Sequence, residues 1–370
     1  MTPNPVRNSR PIGPSGAPSP VRSLASNGAS AGAISNGTRK IRFGVLGYSR
    51  VAKRSVLPAL ADSVHAELVI VGNRNVEKAQ ECAEQYGCAI GSYEEVLASK
   101  GVDAVYISLP SSLHEEWSIK AAEAGKHVWC EKPAALSYSS AKQMVEAARK
   151  NNVRLMEGLM FRLHPQHAKV RALIDDGTLG ELLTFDGCFA VPMPGREANI
   201  LKSELGGGVL NDAAVYPIRA SRMIFNAEPI RVACSLTMDS HTGVDVKVDM
   251  LLIYPNGKSA HVSSIFGSYF QSTYRVLGTE AQLTAARAYA VPKDKVTKLL
   301  LSKDDTITEI DIPPADHFAL MLEDFCEEIS LGAKSKKRYK EDLLAQARIL
   351  DAARLSNKEK RFVKLSELSV

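Results

Sequence analysis

The sequence predicts an α/β protein in two parts. A doubly wound parallel sheet comes first, and an α/β domain with a largely antiparallel, open sheet follows. Three observations predict this. From residue 41, short apolar runs alternate with helical stretches. The first run ends in a glycine-bearing turn. After about Phe161, strand-biased segments succeed one another mostly without crossover helices.

The elements read in order as follows. Apolar strand runs fall at Ile41–Gly47, Leu68–Gly72, Ala104–Leu109, His127–Cys130 and from Val153 to Met156. Helical stretches lie between them at Val76–Tyr86, about Leu113–Ala124 and about Ser139–Lys150. Buried strands separated by helices require parallel pairing with both faces covered. Pro58 interrupts the helix that should follow the first strand. Beyond it, a helix near Gln166–Asp175 stops at Gly177. Strands are then expected at Leu182–Ala190, Ile230–Thr237, Val244–Tyr254, Ser259–Ser264, Ser268–Leu277 and Gln282–Ala285. Tyr254-Pro255-Asn256-Gly257 signals a hairpin turn. Helices return at about His317–Leu331 and Lys340–Leu355. The domain boundaries expected are a tail over 1–40, a nucleotide-binding domain over 41–161 and a substrate and oligomerisation domain over 162–370. One face of the second sheet should be covered by helices, leaving the other apolar enough to need a partner copy.

Composition excludes several function classes. No apolar run approaches the ~20 residues that cross a bilayer. Residues 1–40 carry Arg7, Arg10, Arg22, Arg39 and Lys40 and no acid, and these account for the whole net charge of +5. The remainder is balanced, so no nucleic-acid face is expected. That tail is rich in Pro, Gly, Ser and Asn and reads as disordered. The 6 cysteines include no Cys-x-x-Cys pair, which fits a reducing cytoplasm better than a disulfide framework. No metal is expected: His164 and His167 have helical spacing but no accompanying ligands.

The first strand runs into Gly47-Tyr48-Ser49-Arg50-Val51-Ala52. A dinucleotide loop must turn tightly and offer backbone N–H groups to a pyrophosphate. Gly47 suits the turn and Ala52 the helix packing, but Ser49 stands where a second glycine is usual. A generic β–α turn fits this motif equally well. At the end of the second strand stand Asn73 and Arg74, with no acid before Glu77. An acid there would hold a ribose 2′-hydroxyl. Arg74 instead suits a 2′-phosphate, with Asn73 as a further donor, against the alternative of a solvent-exposed arginine. The next two strand ends should face the same crevice. They carry Leu109-Pro110-Ser111-Ser112-Leu113-His114 and Cys130-Glu131-Lys132-Pro133. Pro133 biases Lys132 toward an extended conformation, which aims its side chain.

Together these residues resemble the glucose-fructose oxidoreductase/inositol dehydrogenase/rhizopine-catabolism family, Gfo/Idh/MocA, over about residues 41–355. Glu131-Lys132-Pro133 is the most specific element, with the lead-in Ala121-Ala122-Glu123-Ala124-Gly125-Lys126-His127-Val128. Gly206-Gly207-Gly208 followed by Asp212 and Tyr216 supports it, the two placed on one helix face by their spacing. The run Met156–His167 and the tyrosine at 216 are similar to the NADP-linked branch. Ser49 and Ala214 depart from the family pattern.

The resemblance implies a Rossmann domain and hydride transfer with NADP(H). It implies catalytic roles for Lys132 and Tyr216. Cofactor contacts fall to Gly47, Tyr48, Ser49, Arg50, Val51, Asn73, Arg74, Leu109, Pro110, His114, Glu131 and Lys132. Substrate contacts fall to Asp212, Arg162 and Arg219. Chemically, Tyr216 would protonate a carbonyl oxygen, and a nearby ammonium would lower its pKa. Lys132 could act on Tyr216 or directly on substrate, and Asp212 could equally be a helix N-terminal acid. The implied substrate is a carbohydrate, most closely a 3-keto-sugar on a nucleoside diphosphate, with Arg196, Lys202, Arg219 and Arg275 as candidate phosphate donors. Free-aldose or dihydrodiol dehydrogenation, and a nonenzymatic cofactor-binding sensor, are the alternatives. Homodimers or homotetramers are also implied.

Overall fold

The structure, a computed structural model, describes residues 39–368. The tail reading therefore lies outside the described residues except at its last two positions. These are anchored: Arg39 pairs with Asp103 (2.9 Å), and Lys40 donates to the Ser63 carbonyl (3.0 Å).

The first part comprises β1 (Ile41–Leu46), α1 (Leu57–Asp62), β2 (Ala66–Gly72), α2 (Val76–Tyr86), β3 (Ala89–Gly91), α3 (Tyr93–Ala98), β4 (Ala104–Ile107), α4 (His114–Glu123), β5 (His127–Glu131), α5 (Tyr138–Lys150) and β6 (Leu155–Gly158). Its strands form one parallel sheet in the order β3-β2-β1-β4-β5-β6. The reversal of direction at β1 and β4 opens a crevice at their carboxyl ends. Pro58 does not break the first helix. A π-turn over Ala52–Val56 widens the backbone ahead of it, and Pro58 falls in the first turn of α1. The β3–α3 segment had no place in the sequence reading, because β3 is three residues long and two of them are exposed. Its signal was a cap: Ser92 and Glu95 form a reciprocal capping box at α3.

The second part comprises α6 (Pro165–Asp175), β7 (Leu182–Val191), α7 (Val209–Asp212), α8 (Val215–Phe225), β8 (Arg231–Met238), β9 (Asp245–Ile253), β10 (Ser259–Phe266), β11 (Gln271–Gly278), β12 (Gln282–Ala285), β13 (Thr297–Lys303), β14 (Thr306–Ile312), α9 (His317–Leu331), α10 (Tyr339–Glu359) and β15 (Val363–Lys364). The sheet order is β14-β13-β12-β11-β7-β10-β9-β8-β15, with only the β7–β10 pairing parallel. The hairpin at Pro255–Gly257 forms as read, with Asn256 and Gly257 at positive φ. The β13–β14 hairpin was missed. Its two-residue turn uses Asp304 and Asp305, both at positive φ, in place of the usual Asn-Gly.

The uncovered face of this sheet is not the apolar surface expected. Its central strands carry a charged ladder in which Asp186 bonds Arg275 (2.9 Å) and His261 (3.0 Å), beside a Lys247–Asp249 pair. Phe185, the neighbour of Asp186 on β7, points the other way and is fully buried.

Helices α9 and α10 return to the first sheet. Phe325 of α9 is fully buried against Phe43 and Trp129, with ring centroids 6.3 and 6.4 Å apart. Leu343 and Ala347 of α10 join the core cluster of α4 and α5. Phe325→Ala should therefore destabilise the first sheet itself, by about 3–5 kcal/mol. Denaturant unfolding followed by the near-ultraviolet signal of Trp129 checks this; a change under 1 kcal/mol would contradict the packing role.

Candidate active site

Lys132 leaves the end of β5 through a cis Lys132–Pro133 peptide. Its Nζ donates to Asp212 Oδ1 (2.6 Å) and to the Asp212 backbone carbonyl (2.7 Å). The same ammonium lies 5.2 Å from the centre of the Tyr216 ring. One side chain from the end of a first-sheet strand and two from helices α7 and α8 thus meet at one point. Asp212 and Tyr216 do not share one helix as expected. The chain breaks at Ala213–Ala214, where α7 ends and α8 begins. Pro217 gives the reason: without an N–H it is tolerated only in a first turn, which the restart provides.

The electrostatics follow from burial. Burial pulls the Lys132 ammonium down, but Asp212, Tyr216 and Glu131 together outweigh it and hold it above the ordinary lysine value. Burial pushes the Tyr216 phenol up to about 12, more than the Lys132 charge lowers it. This reverses the expected net effect: burial keeps the Tyr216 phenol neutral. Its hydroxyl points to Met160 Sδ (3.9 Å), not to Lys132.

The cleft beside this cluster encloses about 430 Å³. Its lining includes Gly47, Tyr48, Ser49, Val51, Asn73, Arg74, Leu109, Pro110, His114, Glu131, Lys132 and Asp212. Gly47 sits at φ 90°, and a Cβ there would lie 2.8 Å from the Ser108 carbonyl oxygen. Only glycine leaves that turn bare. Asn73 Oδ1 accepts the Asn75 N–H (2.9 Å), and Asn75 in turn caps α2 through the Lys78 N–H (2.8 Å). Glu131 accepts from the Tyr106 hydroxyl (2.8 Å).

Other expected residues are placed differently. Arg50 is exposed and does not line the cleft. His114 lines it, but its ring nitrogens face the Pro133 and Leu109 carbonyls (2.8 and 2.9 Å). It joins the two strand-end loops. Arg162 and Arg219 lie outside the cleft lining because carboxylates of the last two helices hold them. Arg162 bonds Asp324 (3.3 Å) and covers the Tyr339 ring, and Arg219 bonds Asp342 (2.9 Å). His167 bonds the Tyr274 hydroxyl and the Ala288 carbonyl, a core role.

The sequence reading missed Lys78, Tyr93, Ser108, Asn211 and the Gly206–Gly208 turn as cleft residues. Lys78 was legible in principle, one helical turn beyond Arg74. At Gly208, φ is 111° and a Cβ would lie 2.3 Å from Asp245 Oδ1. Glu157 of β6 was also missed. It accepts the Ala134 N–H (2.9 Å) and so holds the turn that carries Lys132.

Burial pushes the Glu157 carboxyl up to about 7, against the Ala134 N–H, Arg222 and Arg219. A carboxyl raised on folding holds its proton more tightly in the native state. Its contribution to stability is therefore lost as pH rises from the ordinary carboxylate range through about 7. Glu157→Gln should flatten that part of the stability–pH curve. Urea midpoints between pH 4.5 and 8 test it, and an unchanged slope would exclude Glu157 as the group responsible.

Residues 41–159 match an oxidoreductase family with an NAD-binding Rossmann fold, and residues 167–284 match the GFO/IDH/MocA C-terminal domain. The dTDP-3,4-didehydro-2,6-dideoxy-alpha-D-glucose 3-reductase of Saccharopolyspora spinosa is 33% identical over 80% of this chain and 89% of its own. The D-xylose 1-dehydrogenase (NADP(+)) 2 of Haloferax volcanii is 31% identical over 84% of this chain and 95% of its own. Among solved structures, a 3-ketoreductase from Actinomadura kijaniata in complex with NADP and TDP-benzene superposes with a TM-score of 0.83. It is 31% identical and covers 86% of this chain and 98% of its own.

Proposed function

Because the chain belongs to the Gfo/Idh/MocA oxidoreductase family, we propose that it is an NADP(H)-dependent reductase of a 3-keto-sugar carried on a nucleoside diphosphate. The observation that carries this reading is the convergence of Lys132, Asp212 and Tyr216 beside a cleft rimmed by Arg74 and Lys78. The 3-ketoreductase relatives support the substrate class.

The residues present fit the cofactor. Gly47 leaves room for close backbone approach to a pyrophosphate. Arg74 and Lys78 supply two cations for a 2′-phosphate, and Asn73 keeps its amide NH₂ to donate. When bound, NADPH supplies the hydride. Tyr216 is protonated at neutral pH and delivers its proton to the carbonyl oxygen as negative charge develops there. Lys132, held as an ammonium by Asp212, stabilises the phenolate left behind. Glu131 and Glu157 fix the ends of the turn between them.

A free-aldose 1-dehydrogenase is the second reading. It is favoured by the capture of three expected phosphate donors by carboxylates: Lys202 by Glu197, Arg219 by Asp342 and Arg275 by Asp186. Assays with nucleotide-linked keto-sugars and with xylose or glucose separate the two; turnover of a free aldose alone would overturn the first. Assembly as a homodimer or homotetramer in a reducing cytoplasm is part of the same proposal.

Arg74→Ala should weaken NADPH binding about tenfold or more and leave NADH binding nearly unchanged. Fluorescence titration of both cofactors checks it, and equal losses for the two would remove the 2′-phosphate role. Tyr216→Phe and Lys132→Met should each retain cofactor affinity yet lose about 10²–10⁴-fold in turnover. Single-turnover hydride transfer is the measurement; parent-like rates would refute the assigned role.

A further inference from the structure

A nucleoside diphosphate needs cationic donors and a stacking surface, and three of the four cations expected from the sequence, Lys202, Arg219 and Arg275, are already held by carboxylates. We propose that a corner built from Arg287, Phe270 and Tyr269 is the subsite for that part of the substrate. This inference rests on the ketoreductase reading above and adds to it a binding site for the nucleotide arm.

The corner stands at the carboxyl end of β7. The turn leading into β11 is tied there by the N–H groups of Gly267 (2.9 Å) and Ser268 (3.2 Å), both donating to the Val191 carbonyl. The chain leaving β7 runs from there to Asn199 and Ile200, which line the cleft. The corner is also linked to the reacting centre by rings in contact. Tyr216 packs edge-on against Phe189 at 5.0 Å, and Phe189 packs against Phe270 at 6.3 Å. A substrate with its carbonyl at Tyr216 therefore has this corner within reach of its far end.

The chemistry matches that end. The Arg287 guanidinium lies over the Phe270 ring, 4.2 Å from its centre. Its Nε donates to the Ala290 carbonyl (2.8 Å), which fixes the fork in place. No carboxylate among the described residues pairs with it, and both terminal nitrogens are left to donate. An oriented fork with two free donors suits a diphosphate. The adjacent Tyr269 is 84% exposed, and Met193, 55% exposed, sits against the Gly267 turn. An exposed ring next to an anion-binding fork suits a nucleobase, which stacks whatever its identity. Arg287 also differs from Arg162, Arg219 and Arg275, each of which is neutralised by an acid.

The test is calorimetric titration of the NADP⁺-loaded full-length protein with thymidine diphosphate, uridine diphosphate and inorganic pyrophosphate. Arg287→Met should weaken all three about tenfold or more, and Arg287→Lys should fall between it and the parent. Tyr269→Ser should weaken the two nucleotides about fivefold or more and leave pyrophosphate unchanged. NADP⁺ affinity should not move in any variant. Parent-like nucleotide binding in Arg287→Met would overturn the subsite and leave the ketoreductase reading standing. A parent that binds no nucleoside diphosphate, yet turns over a free aldose, would overturn both.

Discussion

The contact between Lys132 and Asp212 is the constraint on which the rest of the site depends. It joins the end of a parallel-sheet strand to helix α7 of the second domain, beside the cleft. A buried ammonium is costly unless it is paired and bonded. Lys132 meets that requirement twice on a single residue, through the Asp212 carboxylate and its carbonyl. Asp212 is in turn held by the end of α7, whose start is fixed by Asp245 accepting the Leu210 N–H (2.6 Å). Gly208 must lack a side chain for Asp245 to reach that position. A chain of short-range requirements thus connects a glycine on one element to the ammonium on another.

Much of this was legible in the sequence. Five of the six parallel strands, β1, β2, β4, β5 and β6, were visible because burial makes them largely apolar runs. The carboxyl ends of those strands then follow by topology, which is why Gly47, Arg74, Leu109 and Lys132 fell in one cleft. The β3–α3 segment and the β13–β14 hairpin were less legible. They are short or exposed and carry little apolar periodicity, so only local cap and turn chemistry marked them.

Charges were the least legible part. Arg162, Arg219 and Arg275 look alike in sequence to Arg287. Their partners lie between about 90 and 160 positions away in the chain, at Asp324, Asp342 and Asp186. Pairing over such separations depends on how the last helices and the central strands are brought together. The Tyr216 phenol illustrates the same limit. Its neighbour Lys132 could be inferred, but the burial that outweighs Lys132 is a property of the packed core.

The return of α9 and α10 to the first sheet bears on how the chain acquires its fold during synthesis. The nucleotide-binding half is made first, but Phe325 and Leu343 complete its core from near the far end of the chain. Its sheet can pair as it leaves the ribosome, yet one flank stays apolar and uncovered until almost the whole protein has emerged. An apolar flank left uncovered in that interval is the kind of surface through which partly folded chains associate. For the same reason, cutting the gene after residue 161 would yield a first half lacking part of its own interior.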